Sequence, residues 1–247
     1  MSDDGDEVST GGKRAATRRR IFEAALACFR DKGFDGATMR DIAAAAGMSL
    51  GASYYYFPSK EALVLAYYRE LLEARWEKAR TVFAETDDLG ERVRALFRHH
   101  LELARKDRTL IVALARAVAD PSSTTSIFAS TTRDTRNRVI DLHLAALQVD
   151  EVPEELRDLG ALGMWTLELA FLLYFVWDDS ESQKRTGQLV EGALDLVLPL
   201  VPFLATPFAA PLVGQLATLL VEAGLVPDDA GPDAPAPDDG AEDLDQP

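Results

Sequence analysis

Apolar residues recur at three- and four-residue spacings along almost the whole chain, and no stretch shows the alternation of a strand. Ile21, Ala24, Ala25, Cys28 and Phe29 share one helical face, which predicts a helix from about residue 16 to Gly33, a natural left-handed C-terminal stop. Thr38 is placed to cap a short second helix, "MRDIAAAA", that Gly47 ends, with Ile42, Ala45 and Ala46 turned to a core. Ser49 caps a third helix ending at Pro58, and Ser59 a fourth, "KEALVLAYYRELLEARWEKARTVF". Val93, Leu96, Phe97, His100, Leu101 and Ala104 mark a fifth face, and "RTLIVALARAVA" forms a further helix closed by Pro121. A Ser/Thr/Arg-rich stretch leads into a helix with Val139, Ile140, His143 and Leu147 inward. Pro153 then opens a long apolar helix. Val190, Ala193, Leu194, Val197 and Leu198 give the next face, and Leu212, Leu216, Leu219 and Leu220 the last. The fold class is all-α.

Residues 159–177, "LGALGMWTLELAFLLYFVW", are long enough to span a bilayer. Glu168 at the middle and acidic flanks without a Lys/Arg bias favour a helix buried in protein, and such a helix needs neighbours on every side. No apolar leader opens the chain, and the one cysteine, Cys28, gives no disulfide framework, so a reducing cytoplasm is the expected compartment and no membrane partner is expected. From Pro227 onward there are eight acids, five prolines and no basic residue, a composition that cannot bury enough apolar surface to order itself.

Net charge changes the picture only when it is located. The chain carries −15, yet residues 13–60 hold nine Lys/Arg against four acids. A basic end on an acidic body is the footprint of a polyanion-binding module. That window contains two short helices joined through "AGMS", a helix-turn-helix candidate over residues 38–57, in which Ala46 and Gly47 let the second helix swing across the first. In the second helix, Ser53 and Phe57 face inward, whereas Gly51, Tyr54 and Tyr55 cluster outward with Leu50 and Ala52 at the margins. A face that is small at its start and aromatic at its end suits a helix entering a major groove, with tyrosine hydroxyls on phosphates and rings on thymine methyls. Arg40 and Lys60 flank it within reach of backbone phosphates, and Tyr56 covers the domain from the side. The competing reading packs the same tyrosines on a neighbouring domain or subunit.

The stretch "TMRDIAAAAGMSLGASYYYFPSKEAL", with "IFEAALACFRDKGFDGAT" before it, resembles the signature of the tetracycline-repressor (TetR) family of bacterial transcriptional regulators. Met48 stands where the family usually has Val, and Ser53 where it has Leu or Ile. The resemblance covers about residues 15–75. It implies a helix-turn-helix DNA-binding domain over 15–75 after a flexible segment 1–14, a helical effector-binding and dimerisation domain over 76–224, and an acidic tail over 225–247. It implies Thr38, Arg40, Ser49, Leu50, Gly51, Tyr54, Tyr55 and Lys60 as DNA contacts. The partners implied are a palindromic double-stranded DNA operator, a small-molecule effector and a second copy, joined through helices of about 154–178 and 183–201. The usual activity is repression relieved by the effector; a ligand-dependent activator, or an interaction protein that keeps the fold without operator binding, are the alternatives.

Candidates for an effector pocket are His100, His143, Trp165, Glu168, Phe171 and Tyr174. Each has a structural alternative: satisfied core histidines, and aromatics that serve core or dimer packing. Glu168 is the most pointed, because a buried carboxylate needs a partner, such as a cationic ligand or an arginine across the dimer. With mostly apolar neighbours, the expected ligand is largely apolar. There is no glycine-rich phosphate loop, no paired Cys/His at metal spacing and no nucleophile elbow, so no enzyme, cofactor or metal site is expected.

Overall fold

The structure, a computed structural model, describes residues 4–222; the acidic tail expected over 225–247 lies outside the described residues. Eleven α-helices follow one another among the described residues: α1 (Asp4–Gly36), α2 (Met39–Ala45), α3 (Leu50–Tyr56), α4 (Lys60–Glu85), α5 (Leu89–Lys106), α6 (Arg108–Ala119), α7 (Arg133–Ala146), α8 (Glu154–Trp177), α9 (Lys184–Val197), α10 (Val201–Leu204) and α11 (Ala210–Glu222).

The stop and start signals act as their chemistry requires. Gly33 (φ 72°) breaks the end of α1, and Gly47 (φ 62°) makes the turn between α2 and α3. Thr38, Ser49 and Ser59 each accept a hydrogen bond from a backbone N–H in the first turn of α2, α3 and α4, and Asp88 does so for α5. At Thr38 the box closes both ways, because the Asp41 side chain accepts from the Thr38 N–H at 2.9 Å. One start differs. α1 begins at Asp4, well before residue 16, so the segment expected to be flexible through residue 14 continues the helix.

Ile21, Phe22, Ala25 and Phe29 of α1 pack with Ile42, Ala46, Phe57, Leu63 and Val64 around the turn, and Leu110 and Leu114 of α6 close the same core. Ala45, expected inward, is exposed, and Ala43 is buried in its stead, because α2 presents the Met39–Ile42–Ala43 stripe to α1. Arg30 of α1 pairs with Asp107 at 2.7 Å. The boundary expected at 75/76 therefore falls inside the continuous α4, and α6 contributes to the core on the near side of it.

A second cluster, built on Ala79, Leu96, Leu142 and Ala146 with Trp76 and Phe83, holds α4, α5 and α7 together. In α7, Leu142 and Ala146 join His143 and Leu147 inside, whereas Val139 and Ile140 are only half-buried. α8 buries Leu156, Leu162, Trp165, Glu168, Phe171 and Phe175, but leaves Leu173, Tyr174 and Trp177 exposed. Two stretches, Glu154–Trp177 and Glu181–Leu204, are long and apolar enough to cross a membrane by length and composition; the chain itself buries 33% of the first and 11% of the second. Val197, expected inward, is exposed, as are Leu189 and Leu196. Residues through Pro202 form one compact unit and those from Phe203 another, a division the hydrophobic pattern did not mark. In the second unit, Leu212, Leu216 and Leu219 of α11 are exposed.

Candidate functional site

The outward face of α3 carries the side chains expected there. Ser53 and Phe57 are buried, and Phe57 stacks on Phe22 with centroids 6.4 Å apart. Tyr54 and Tyr55 are 47% and 68% exposed, a heavy exposure for aromatic side chains. Tyr56 lies half-buried against the domain core, with its ring edge-on to Tyr55 at 5.2 Å. Gly51 is exposed, its φ is not positive, and a Cβ built on it meets nothing within 4 Å. Neither backbone conformation nor packing inside the protein therefore calls for glycine, although glycine costs helix stability.

The flanking polar groups divide into committed and free. The Thr38 hydroxyl is spent in the capping box, donating to Asp41 and accepting from the Asp41 N–H at 3.1 Å. Hydrogen bonds from Lys32 and then Thr38 hold the Asp41 carboxyl far below the usual carboxylate range. Ser49 Oγ accepts from the Ala52 N–H at 3.2 Å and keeps its own proton to donate. Arg40 is exposed, and Leu50 is partly so. Lys60 is committed only in part. Its ammonium donates to the Phe34 carbonyl at 2.7 Å and lies 4.5 Å from the centroid of the Phe34 ring, which leaves two N–H donors. Arg14, which no helical face in the sequence singles out, donates to the Tyr55 hydroxyl at 2.8 Å. Its signal was phase: with α1 extended backwards, Arg14 stands four residues before Arg18, whose guanidinium covers Phe57 at 4.5 Å.

A second arrangement lies inside the larger helical layer. Glu168 of α8 is buried and takes both arms of the Arg75 guanidinium from α4, one at 2.9 Å and a shorter one. His143 Nε2 of α7 lies 3.0 Å from Glu168 Oε2, and His100 Nδ1 of α5 lies 3.1 Å from Oε1. Burial pushes the Glu168 carboxyl up, but Arg75, and after it the two histidines, more than offset this and hold it well below its ordinary value. Burial dominates at His143 and keeps the ring neutral, pulling it down despite Glu168. The partner of Glu168 is thus Arg75 of the same chain, not an arginine across a dimer. Arg75 sits three residues after Leu72 and four before Ala79, on the buried stripe of α4, and that periodicity was the signal for it.

Beside this cluster is a small cleft of about 20 Å³ lined by Phe97, His100, Glu168, Phe171, Phe175 and Thr186, among others. Phe171 is T-stacked on Phe97 at 5.8 Å. His143 lies behind Glu168, Trp165 packs edge-on to Phe128 at 6.1 Å, and Tyr174 is exposed; none of the three lines the cleft. Among the described residues, no group of three or more His, Cys, Asp or Glu side chains could hold a metal ion.

Residues 21–67 match a family model described as bacterial regulatory proteins of the tetR family, and residues 92–205 match one described as tetracyclin repressor-like, C-terminal domain. The HTH-type transcriptional repressor AcnR of Corynebacterium efficiens is 44% identical over 63 residues, which is 26% of this chain and 34% of AcnR. The HTH-type transcriptional regulator RutR of Escherichia coli is 37% identical over 102 residues, 40% of this chain and 48% of RutR. The chain thus spans half or less of the length of these curated relatives, which are transcriptional regulators and not enzymes. A TetR-family regulator from Syntrophomonas wolfei shares the fold with a TM-score of 0.60 at 18% identity, over 73% of this chain and 94% of that one. The helix-turn-helix, the helical layer behind it and the two matched family models agree: the chain belongs to the TetR family of DNA-binding transcriptional regulators.

Proposed function

We propose that the protein is a homodimeric, cytoplasmic repressor that reads a palindromic operator with α3 and leaves it when a small, largely apolar effector enters the cleft beside Glu168. The observation that carries the DNA reading is Gly51 beside Tyr54 and Tyr55: an exposed face whose glycine no internal packing requires and whose two aromatic rings stay largely in solvent. In this reading Gly51 admits the groove floor, and Tyr54 and Tyr55 meet bases and phosphates. Ser49, Arg40 and the spare donors of Lys60 hold the backbone, Leu50 lies at the groove edge, and Thr38 acts through the α2 cap. The working division is a DNA-binding region over about 15–75 and an effector and dimer region after it. The exposed apolar residues of α8 and α9 support pairing of those helices with the same helices of a second copy.

The test is selection of bound sequences from random duplex DNA by the purified full chain at physiological salt. One inverted repeat, with half-sites about one helical turn apart or a multiple of it, is the expected result. Binding should also weaken steeply with added salt, because displaced counterions drive it. Folded protein that enriches no motif would overturn the operator reading in favour of an interaction protein.

A further inference from the structure

The basic residues of α1 divide by what faces them. Arg19 pairs with Glu23 and Glu70 at 2.8 and 2.7 Å, Arg30 with Asp107 and Lys32 with Asp41, so their charges are balanced within the protein. Lys13, Arg14 and Arg20 are exposed, and among the described residues no carboxylate lies within ion-pair distance of any of them. Three like charges so close along one helix repel one another until a polyanion neutralises them. Two of the three also touch α3 or the turn before it. Arg14 donates to the Tyr55 hydroxyl at 2.8 Å near the end of α3, and Arg20 lies against the Met48 sulfur, one residue before the Ser49 cap. α1 therefore flanks α3 in the opposite sense, with a guanidinium at either end of it. Tyr55 takes one N–H of Arg14 and leaves the others free to donate. Lys13 stands seven residues before Arg20, about 20° from it around the helix and about 10 Å along it, so the two share a face.

A helix with its side chains is about 10–12 Å across, and the major groove is about 12 Å wide. On the reading of α3 as the DNA-facing helix, on which this inference rests, α3 fills the groove and whatever flanks it comes over the phosphate edge. We propose that Lys13, Arg14 and Arg20 of α1 form a phosphate-binding strip that grips the DNA backbone beside α3. The partner is the sugar–phosphate backbone of double-stranded DNA, held without regard to sequence. Each strand carries one phosphate charge per about 3.4 Å of axis, so a strip about 10 Å long faces about three phosphates, one for each cation. Labour is divided accordingly: α3 selects the sequence, and the strip supplies affinity. The paired arginines on the far side of α1 take no part, because Glu23, Glu70 and Asp107 already hold them.

The experiment is anisotropy titration of a labelled duplex of about 30 base pairs and arbitrary sequence with the full chain, from about 50 to 200 mM KCl. Lys13→Gln with Arg20→Gln should make the slope of log affinity against log salt shallower by about two units per bound chain, and weaken binding at the lowest salt at least tenfold. Arg19→Gln with Lys32→Gln removes the same charge from carboxylate-paired positions and should leave the slope unchanged. Arg20→Lys keeps the charge and gives up the Met48 contact, and its slope should match that of the unaltered chain. All four positions are exposed, so helical content should hold; if the first double variant loses it, Arg20→Gln alone reads about one unit. An unchanged slope in the first variant, an equal loss in the second, or no binding of the duplex by the unaltered chain overturns the strip. Selection from random duplex DNA separates the strip from the operator reading. The unaltered chain and the first variant should enrich the same motif; a different motif would put these side chains on bases and overturn the phosphate assignment. A slope shallower by two units with no motif enriched leaves the strip standing and overturns the operator reading, and an enriched motif with an unchanged slope does the reverse.

Discussion

Gly51 offers a test in which stability and function move in opposite directions. Replacing it with alanine fills open space and removes the entropic cost of glycine in α3, so the protein should gain up to about 1 kcal/mol of stability. The same methyl group stands where a groove floor would come, so operator affinity should fall, by about tenfold. Chemical denaturation and DNA titration on the one variant check both signs; unchanged DNA binding would remove Gly51 from the interface. Arg14 and Tyr55 form the second residue-scale test. If Arg14 works by fixing the Tyr55 hydroxyl, Arg14→Ala and Tyr55→Phe should each weaken operator binding by about 1 kcal/mol, and the double variant should lose clearly less than the sum. Additive losses would mean that each meets DNA separately. Tyr54, Tyr55, Ser53 and Phe57 were legible in the sequence because helical phase sorts them on its own. Arg14 was not, since its role depends on an α1 start that no capping residue or apolar stripe announces.

At the scale of the element, α4, α5, α7 and α8 meet at one carboxylate. Removing its charge with Glu168→Gln leaves the Arg75 guanidinium buried without its counter-ion, which should cost about 3–5 kcal/mol. The pH dependence follows in sign from the same groups. Glu168 is held below its ordinary range, so its contribution is present above about pH 4.3 and is lost as pH falls toward the depressed value. His143 is also held low, by burial, so the unfolded chain takes up a proton first, and its contribution is lost below about pH 6.5. Both act in one direction: the thermal midpoint should be level between pH 7 and 8 and fall progressively below 6.5. His143→Gln should flatten the upper part of that fall; an undiminished slope would place the titration elsewhere. Periodicity put His100, His143 and Glu168 on inward faces without saying that they converge. Convergence of residues 75, 100, 143 and 168 is a matter of how helices cross, and no local pattern encodes it.

For the whole molecule, the unsettled surface is the apolar face of α8 and α9, where Trp177 and Leu196 are 80% and 74% exposed. Length and composition alone would let both helices enter a bilayer. Their neighbours argue otherwise. Arg94 and Arg98 of α5 pair with Glu191 and Asp195 of α9 at 2.6–3.1 Å, and Glu168 of α8 pairs with Arg75 of α4, so inserting either helix would carry ion pairs into hydrocarbon. A second copy presenting the same two helices would cover the apolar face and leave the α5–α9 pairs in water. Around a two-fold axis every substitution occurs twice, so a single charge is enough to test it. Trp177→Asp and Leu196→Asp should each convert a species of twice the chain mass, in sedimentation velocity, into one of the single mass. The variants should keep their helical content, and operator binding should fall sharply, since one α3 alone reads only half a palindrome. A monomer before substitution, or flotation of the unaltered chain with vesicles, would show that this face meets something other than a second copy.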